Sequence, residues 1–325
     1  MGIVNRPLLT GKNHPIISGK YLLSTNQIEL LYEEVTRWLK NRAPGAIVYG
    51  RPRLGKTRAI KYLLHALTEE FNEAFPVFVY NCQHAKIPSE ARFFQSLLVD
   101  LNHQDPFTGK ADSKRYRLYK MLNDAGNKST ESRIVIIIDE AQELHEMEYG
   151  WLMDIYNYLE RADINLTTIL VGQAELISQR NAFIKTKKAQ IVGRFMINDY
   201  RFTGAINSSD IQTCLLGYDE YSEYPIGSGF SFTRYFFPEE YDNGFRLSNY
   251  TELITECFRD FSNEVSRKNK FEIPMQYLTS SIERILLDYG VDGENIDKLS
   301  RNQVEQAIKY SGFIQAEVFS DIVPQ

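Results

Sequence analysis

Three cysteines in 325 residues, Cys82, Cys214 and Cys257, are an odd and scattered set. They build no disulfide framework and match no paired metal spacing, so they read as buried free thiols in a reducing compartment. No apolar run approaches the roughly 18–20 residues that span a bilayer, which argues against a membrane protein. The first residues, MGIVNRPLLTGKNHP, lack the charged-then-apolar layout of a secretory leader, and Arg6 stands where a myristoylation signal needs Ser or Thr. The sequence shows no internal repeat and no long low-complexity stretch. Neither charge dominates. With 37 Lys and Arg against 42 Asp and Glu, the net charge of −5 excludes a globally basic nucleic-acid binder. These absences predict a cytoplasmic protein with room for one full α/β domain and a smaller second one.

What charge there is lies unevenly. Residues 1–201 carry +5, residues 202–260 carry −7 and residues 261–325 carry −3, so any contact with a polyanion belongs to the first two-thirds. Apolar spacing predicts a helix over residues 24–42, with Ser24 and Gln27 at capping-box spacing and Pro44-Gly45 as its stop. A short buried strand, AIVYG, follows, and then a helix over 57–71. A second strand over 77–81 and a helix near 89–101 come next. IVIII at 134–138 is five consecutive β-branched residues, the mark of a central parallel strand covered on both faces. A helix through Leu144–Leu159, with a break expected at Gly150, leads to a fourth strand at 167–172. Residues 174–195 read as mainly helical, and a fifth strand lies near 199–203. Beyond residue 205 strand signals fade. Helices near 249–268, 276–289 and 300–312 follow an aromatic, Gly/Pro-punctuated stretch at 218–245. Strands alternating with helices predict a five-stranded parallel sheet with right-handed crossovers.

The run Gly50, Arg51, Pro52, Arg53, Leu54, Gly55, Lys56, Thr57 fits G-x-x-x-x-G-K-[ST], between an apolar strand and an amphipathic helix that continues with Arg58. Glycines let backbone N–H groups turn inward around phosphates, and the helix start adds positive potential. Lys56 then faces the β- and γ-phosphates, and Thr57 offers its hydroxyl to Mg²⁺. IVIII runs on into Asp139-Glu140. If that strand lies beside the phosphate-loop strand, Asp139 reaches the Mg²⁺ near Thr57, and Glu140 takes a proton from the attacking water. That layout predicts an ATPase that hydrolyses, with ATP and Mg²⁺ as cofactors. A GTPase is excluded: the acidic pair is followed by Ala141-Gln142 rather than completing DxxG, and no NKxD occurs.

The order Gly50–Thr57, Asn81, Asp139-Glu140 and Gly172-Gln173 resembles AAA+ ATPases over residues 20–205. The resemblance implies an AAA+ nucleotide-binding domain over 24–205 after an extension at 1–23, with a small, mainly helical lid at 206–325. It assigns Asn81 to restraining the catalytic glutamate and Gln173 to sensing the γ-phosphate or attacking water. It also implies a neighbour-facing arginine, Arg194 in VGRF, with Arg201 and Arg180 as substitutes, and a second sensor arginine, Arg284. The glycine usually found before that sensor is missing, since Ser280-Ser281 stand there.

LVGQAEL followed by a basic helix ending in VGRF is similar to the TnsC/TniB-type ATPases, found in bacteria, that regulate DNA transposition. Their relatives among general secretion ATPases fit the length and the helical tail less well. The family likeness implies ATP-bound rings or filaments on duplex DNA. These link a target-selection protein of TniQ type to the transposase, and hydrolysis disassembles them. The alternatives are a helicase loader or other remodelling ring on DNA, and a non-hydrolysing signalling switch, which the intact Asp139-Glu140 pair disfavours.

Residues 110–133 supply the basic candidates for sequence-independent DNA contact: Lys110, Lys114, Arg115, Arg117 and Lys120, interleaved with Tyr116 and Tyr119. The plain alternative is a solvated helix face. Lys185, Lys187 and Lys188 form a second basic patch. The aromatic residues of 218–245 form either a partner-docking surface or the core of the second domain.

Overall fold

The computed structural model describes residues 6–9, 14–265 and 270–322. Five strands, β1 (Gly45–Tyr49), β2 (Val77–Asn81), β3 (Arg133–Asp139), β4 (Asn165–Gly172) and β5 (Asn198–Arg201), form one sheet. All pairs are parallel, in the order β2-β3-β4-β1-β5. Contrary to expectation, β3 does not lie beside the phosphate-loop strand β1. β4, which follows β3 in the chain, inserts between them. Strand order is set by which crossover helices pack together, and no single strand's residues encode it. Ile134 to Ile138 are at most 1% exposed, as a strand covered on both faces requires.

The chain divides into two compact units. One comprises Leu30–Arg51 and Lys56–Phe202 and holds the sheet. Its core packs Phe93, Phe94, Leu97, Leu152 and Ile155 with Ile134, Ile136 and Ile138 of β3. The helix Asn26–Lys40 starts one residue later than its sequence signal. Thr25, not Ser24, accepts from the Ile28 N–H through its hydroxyl at 3.3 Å. The helix Glu146–Glu160 runs unbroken through Gly150, contrary to expectation. A glycine there costs only about 1 kcal/mol, less than the burial of Tyr149, Leu152 and Ile155 on the same helix returns. Residues 174–195 form two helices, Glu175–Lys185 and Ala189–Phe195, parted at Lys187 with φ 59°.

The second unit comprises Met1–Glu29, Pro52–Gly55 and Thr203–Gln325. Among its described residues the main helices are Ser208–Asp219, Thr251–Val265, Met275–Tyr289, Arg301–Ser311 and Phe313–Ile322. Residues 266–268 of the expected third-from-last helix lie outside the described residues. The aromatic stretch takes the core alternative. Tyr218, Phe232, Tyr235, Phe236, Phe237 and Phe245 are all buried, while among the aromatic residues of 218–245, all of them described, Tyr221 alone is strongly exposed, at 76%. No helix among the described residues is long and apolar enough to cross a membrane.

Candidate nucleotide-binding site

A parallel sheet brings the carboxyl ends of its strands to one edge, where ligands of open α/β sheets bind. Tyr49, Asn81, Asp139, Gly172 and Arg201 end the five strands there. The Gly50 N–H donates to the Gly172 carbonyl at 3.2 Å, which ties the start of the phosphate loop to the end of β4. Lys56 opens the helix Lys56–Glu70 and is buried. Its ammonium donates to the carbonyls of Gly50 at 2.8 Å and Arg51 at 2.7 Å. An ammonium carries three N–H donors, so one is left for a phosphate oxygen. Burial lowers the Lys56 pKa, while the carboxylates of Glu140, Asp139 and Glu175 oppose that shift.

Thr57 donates its hydroxyl to an Asp139 carboxylate oxygen at 2.8 Å. The other Asp139 oxygen accepts from the Glu140 N–H at 2.9 Å. Burial raises the Asp139 pKa, and these two hydrogen bonds pull it back down. A hydroxyl and a carboxylate, both hard oxygen donors side by side, fit Mg²⁺, which takes one or two carboxylates and completes its shell with phosphates and water. Among the described residues no group of three or more His, Cys, Asp or Glu gathers into a metal cage.

Glu140 is exposed and sits in the left-handed region, φ 52° and ψ 36°. Its carboxylate accepts from the Gln142 side-chain amide at 2.6 Å. The Gln142 oxygen in turn accepts from the Gln173 N–H at 3.0 Å. Gln142 thus joins the site, although in sequence its place after Glu140 bears only on the absence of DxxG. A polar residue two positions after an acidic strand end was the available signal. Asn81 aligns with Asp139 in the sheet, but its side chain and N–H both bond Asp100, at 3.4 and 2.7 Å.

The tip of the loop belongs to the helical unit. The Arg53 carbonyl accepts from the Gln276 N–H at 3.2 Å, and its guanidinium bonds the Tyr277 hydroxyl. Pro52 stands beside it, Leu54 is buried, and Gly55 takes φ 101°, which a side chain would strain. Gln276 and Tyr277 were not foreseen, because no local pattern links them to residue 53. Arg284, further along the same helix, pairs with Asp288 and lies 4.1 Å from the Tyr310 ring centre. Arg194 is 3.8 Å from Glu160 and 4.8 Å from the Tyr156 ring centre. Arg180 donates to Asp199 at 2.7 Å, and Arg201 is exposed.

The basic candidates on the helix Ala111–Lys128 divide. Lys110 and Lys120 are exposed. Lys114 is buried and donates to Gln95 at 2.6 Å. Arg115 pairs with Glu90, and Arg117 holds the Asp105 and Thr108 carbonyls. Of the second patch, Lys185 and Lys187 are exposed and Lys188 pairs with Glu146. Burial pushes the Cys82 and Cys214 thiols up to about 12 and the Cys257 thiol to about 11, which leaves no reactive thiolate near neutral pH.

Residues 39–179 match the family model described as AAA domain. No curated protein matches the sequence. Among solved structures, the chain is similar to the ORC2 protein of Aeropyrum pernix in its ADPNP-ADP complexes. The TM-score is 0.60 and the identity 12%, over 92% of this chain and 72% of that one. The A. pernix ORC1 protein in complex with DNA gives 0.56 at 12% identity, over 91% and 68% of the two chains. Drosophila ORC bound to DNA gives 0.50 at 12%, over 95% and 68%. At such identities the likeness is one of fold. With the five parallel strands, the AAA domain match and the helical C-terminal region, the fold is that of an α/β AAA+ protein.

Proposed function

We propose that this chain binds Mg-ATP at Gly50–Thr57, hydrolyses it, and acts as an ATP-switched regulator of DNA transposition. The observation that carries the ATPase reading is the Thr57–Asp139 hydrogen bond at 2.8 Å, with Glu140 next in the chain. Thr57 and Asp139 would hold Mg²⁺, which when bound neutralises charge on the phosphates. Lys56 grips the β- and γ-phosphates. Glu140 takes the proton of the attacking water, with Gln173 as the sensor at the end of β4. Arg58 flanks the loop, Arg194 is the residue we assign to a neighbour's γ-phosphate, and Arg284 is the second sensor by resemblance alone.

DNA as partner is supported by the +5 charge of residues 1–201, by exposed Lys110 and Lys120, and by fold likeness to ORC proteins solved with DNA. Lys114, Arg115 and Arg117 are occupied within their own unit, so Lys110 and Lys120 are the better DNA candidates. Transposition itself, with a transposase and a TniQ-type selector as partners in a homo-oligomer, rests on LVGQAEL and VGRF. The second reading, a loader or remodelling ring on DNA, draws on the fold likeness to ORC proteins solved with DNA.

Electron microscopy with duplex DNA and a slowly hydrolysed ATP analogue separates the two. Continuous nucleotide-dependent filaments on bare duplex support the transposition regulator. Closed rings that form only with a helicase present refute it in favour of the loader.

A further inference from the structure

The side chain of Gln142 bonds both the Glu140 carboxylate and the backbone at the end of β4. Its Nε2 donates to the Glu140 Oε2 at 2.6 Å, and its Oε1 accepts the Gln173 N–H at 3.0 Å. Both ends of one planar amide are used, so its orientation is determined. The two bonds also assign which end is nitrogen, because a carboxylate takes only a donor and an N–H only an acceptor. The backbone beneath is pinned as well, since the Gln142 carbonyl accepts from the Gln179 side chain at 2.8 Å. Gln179 is in turn held by the Tyr149 hydroxyl at 3.1 Å. Space around the amide is reserved: a Cβ on Gly172 would lie 2.3 Å from the Gln142 Oε1.

Asn81, to which the family likeness gives the task of restraining the glutamate, is bonded to Asp100 instead. We propose that Gln142 is the positioning residue of this ATPase, aiming the Glu140 carboxylate and coupling it to the β4 end at Gln173. The inference rests on Glu140 being the base. With one carboxylate oxygen held by the amide, the other is left to face water. Any shift of the Gln173 backbone moves the amide, and the amide turns the base.

The test is steady-state hydrolysis with nucleotide binding measured separately. Gln142→Leu removes both bonds at similar volume. It is expected to lower kcat on the order of 10- to 100-fold, the usual cost of a misaimed group, with KM within about twofold and nucleotide binding intact. Gln142→Glu sets a second carboxylate against the first. It keeps the volume but cannot donate to Glu140, so kcat should fall as in Gln142→Leu while KM and nucleotide binding stay near wild type, a split that a purely structural role would not produce. An unchanged kcat in Gln142→Leu overturns the proposal, and so does joint loss of kcat and nucleotide binding. Glu140→Gln, run in parallel, separates the levels. If it is inactive while Gln142→Leu is normal, only the positioning role falls. If it hydrolyses at wild-type rate, the assignment of the base falls too.

Discussion

Thr57 and Asp139 share a 2.8 Å hydrogen bond although β1, which leads into the loop before Thr57, and β3, which ends in Asp139, are not neighbours. β4 separates β1 from β3, so the strand axes stand about 9.6 Å apart at the usual spacing. Thr57 closes that gap because it begins the helix that follows the loop, while Asp139 reaches inward from the last position of β3. Asp139→Asn should keep the hydrogen bond to Thr57 but weaken the hold on Mg²⁺. Phosphate release across a magnesium titration should fall on the order of 100-fold, as expected when a metal's charge stabilisation is lost. A wild-type magnesium profile would remove Asp139 from the site.

Lys56→Ala deletes the one ammonium buried in the loop and leaves the Gly50 and Arg51 carbonyls without it. Nucleotide affinity should drop about 100-fold or more, the worth of charge-assisted phosphate contacts. Titration with a fluorescent ATP analogue reads this directly, and unaltered affinity would refute the phosphate-loop assignment.

Glu140→Gln preserves shape and removes the basic oxygen. Binding should survive while turnover falls by roughly 10²–10⁴, and oligomers formed with ATP should persist on a sizing column. Hydrolysis at the normal rate would show that another group activates the water.

Arg194 has a 3.8 Å ion pair with a Glu160 that is 60% exposed and a contact 4.8 Å from the Tyr156 ring centre, and surface contacts of these kinds are each worth about 1 kcal/mol or less. Drawing it away toward a neighbouring subunit therefore costs little. Arg194→Ala should bind ATP yet hydrolyse about 10³-fold more slowly. Mixing it with Glu140→Gln should restore part of the activity, because a wild-type arginine then meets a wild-type base. No recovery in the mixture would move the finger elsewhere.

His14 lies among the rings of Tyr224, Phe232, Tyr235 and Phe236, with centres 4.5–5.1 Å away, and its Nε2 has no partner. Burial first, and then the charge of Arg6, lowers its pKa to about 4. The unfolded chain therefore binds this proton first, near pH 6.5. Stability is full above that pH, declines as pH falls toward 4 and levels off below, a loss of about 3 kcal/mol from this group. Chemical denaturation of His14→Asn at pH 7 and pH 4 should show a smaller pH dependence than wild type. An equal slope would clear His14 of the effect.

Much of the site was readable because it is local. The phosphate loop is eight consecutive residues and the acidic pair closes one β-branched strand. What could not be read was pairing at a distance. The position of β4 between β1 and β3, the bond from Arg53 to Tyr277, and the diversion of Asn81 to Asp100 depend on residues 19 to 224 positions apart. The partners of Lys114 and Arg115 were unreadable for the same reason. Helical spacing shows which residues share a face, but not that Gln95 and Glu90 lie against it. At Gly150 local propensity pointed to a break, and burial of the neighbouring side chains overrode it.

The left-handed backbone at Glu140 has an evolutionary corollary. A side chain held there forgoes about 1 kcal/mol that glycine or asparagine would keep. Selection for heat resistance alone would drift toward Gly at this codon and discard the carboxylate with the strain, and under the role proposed for Glu140 the hardier chain would no longer hydrolyse ATP.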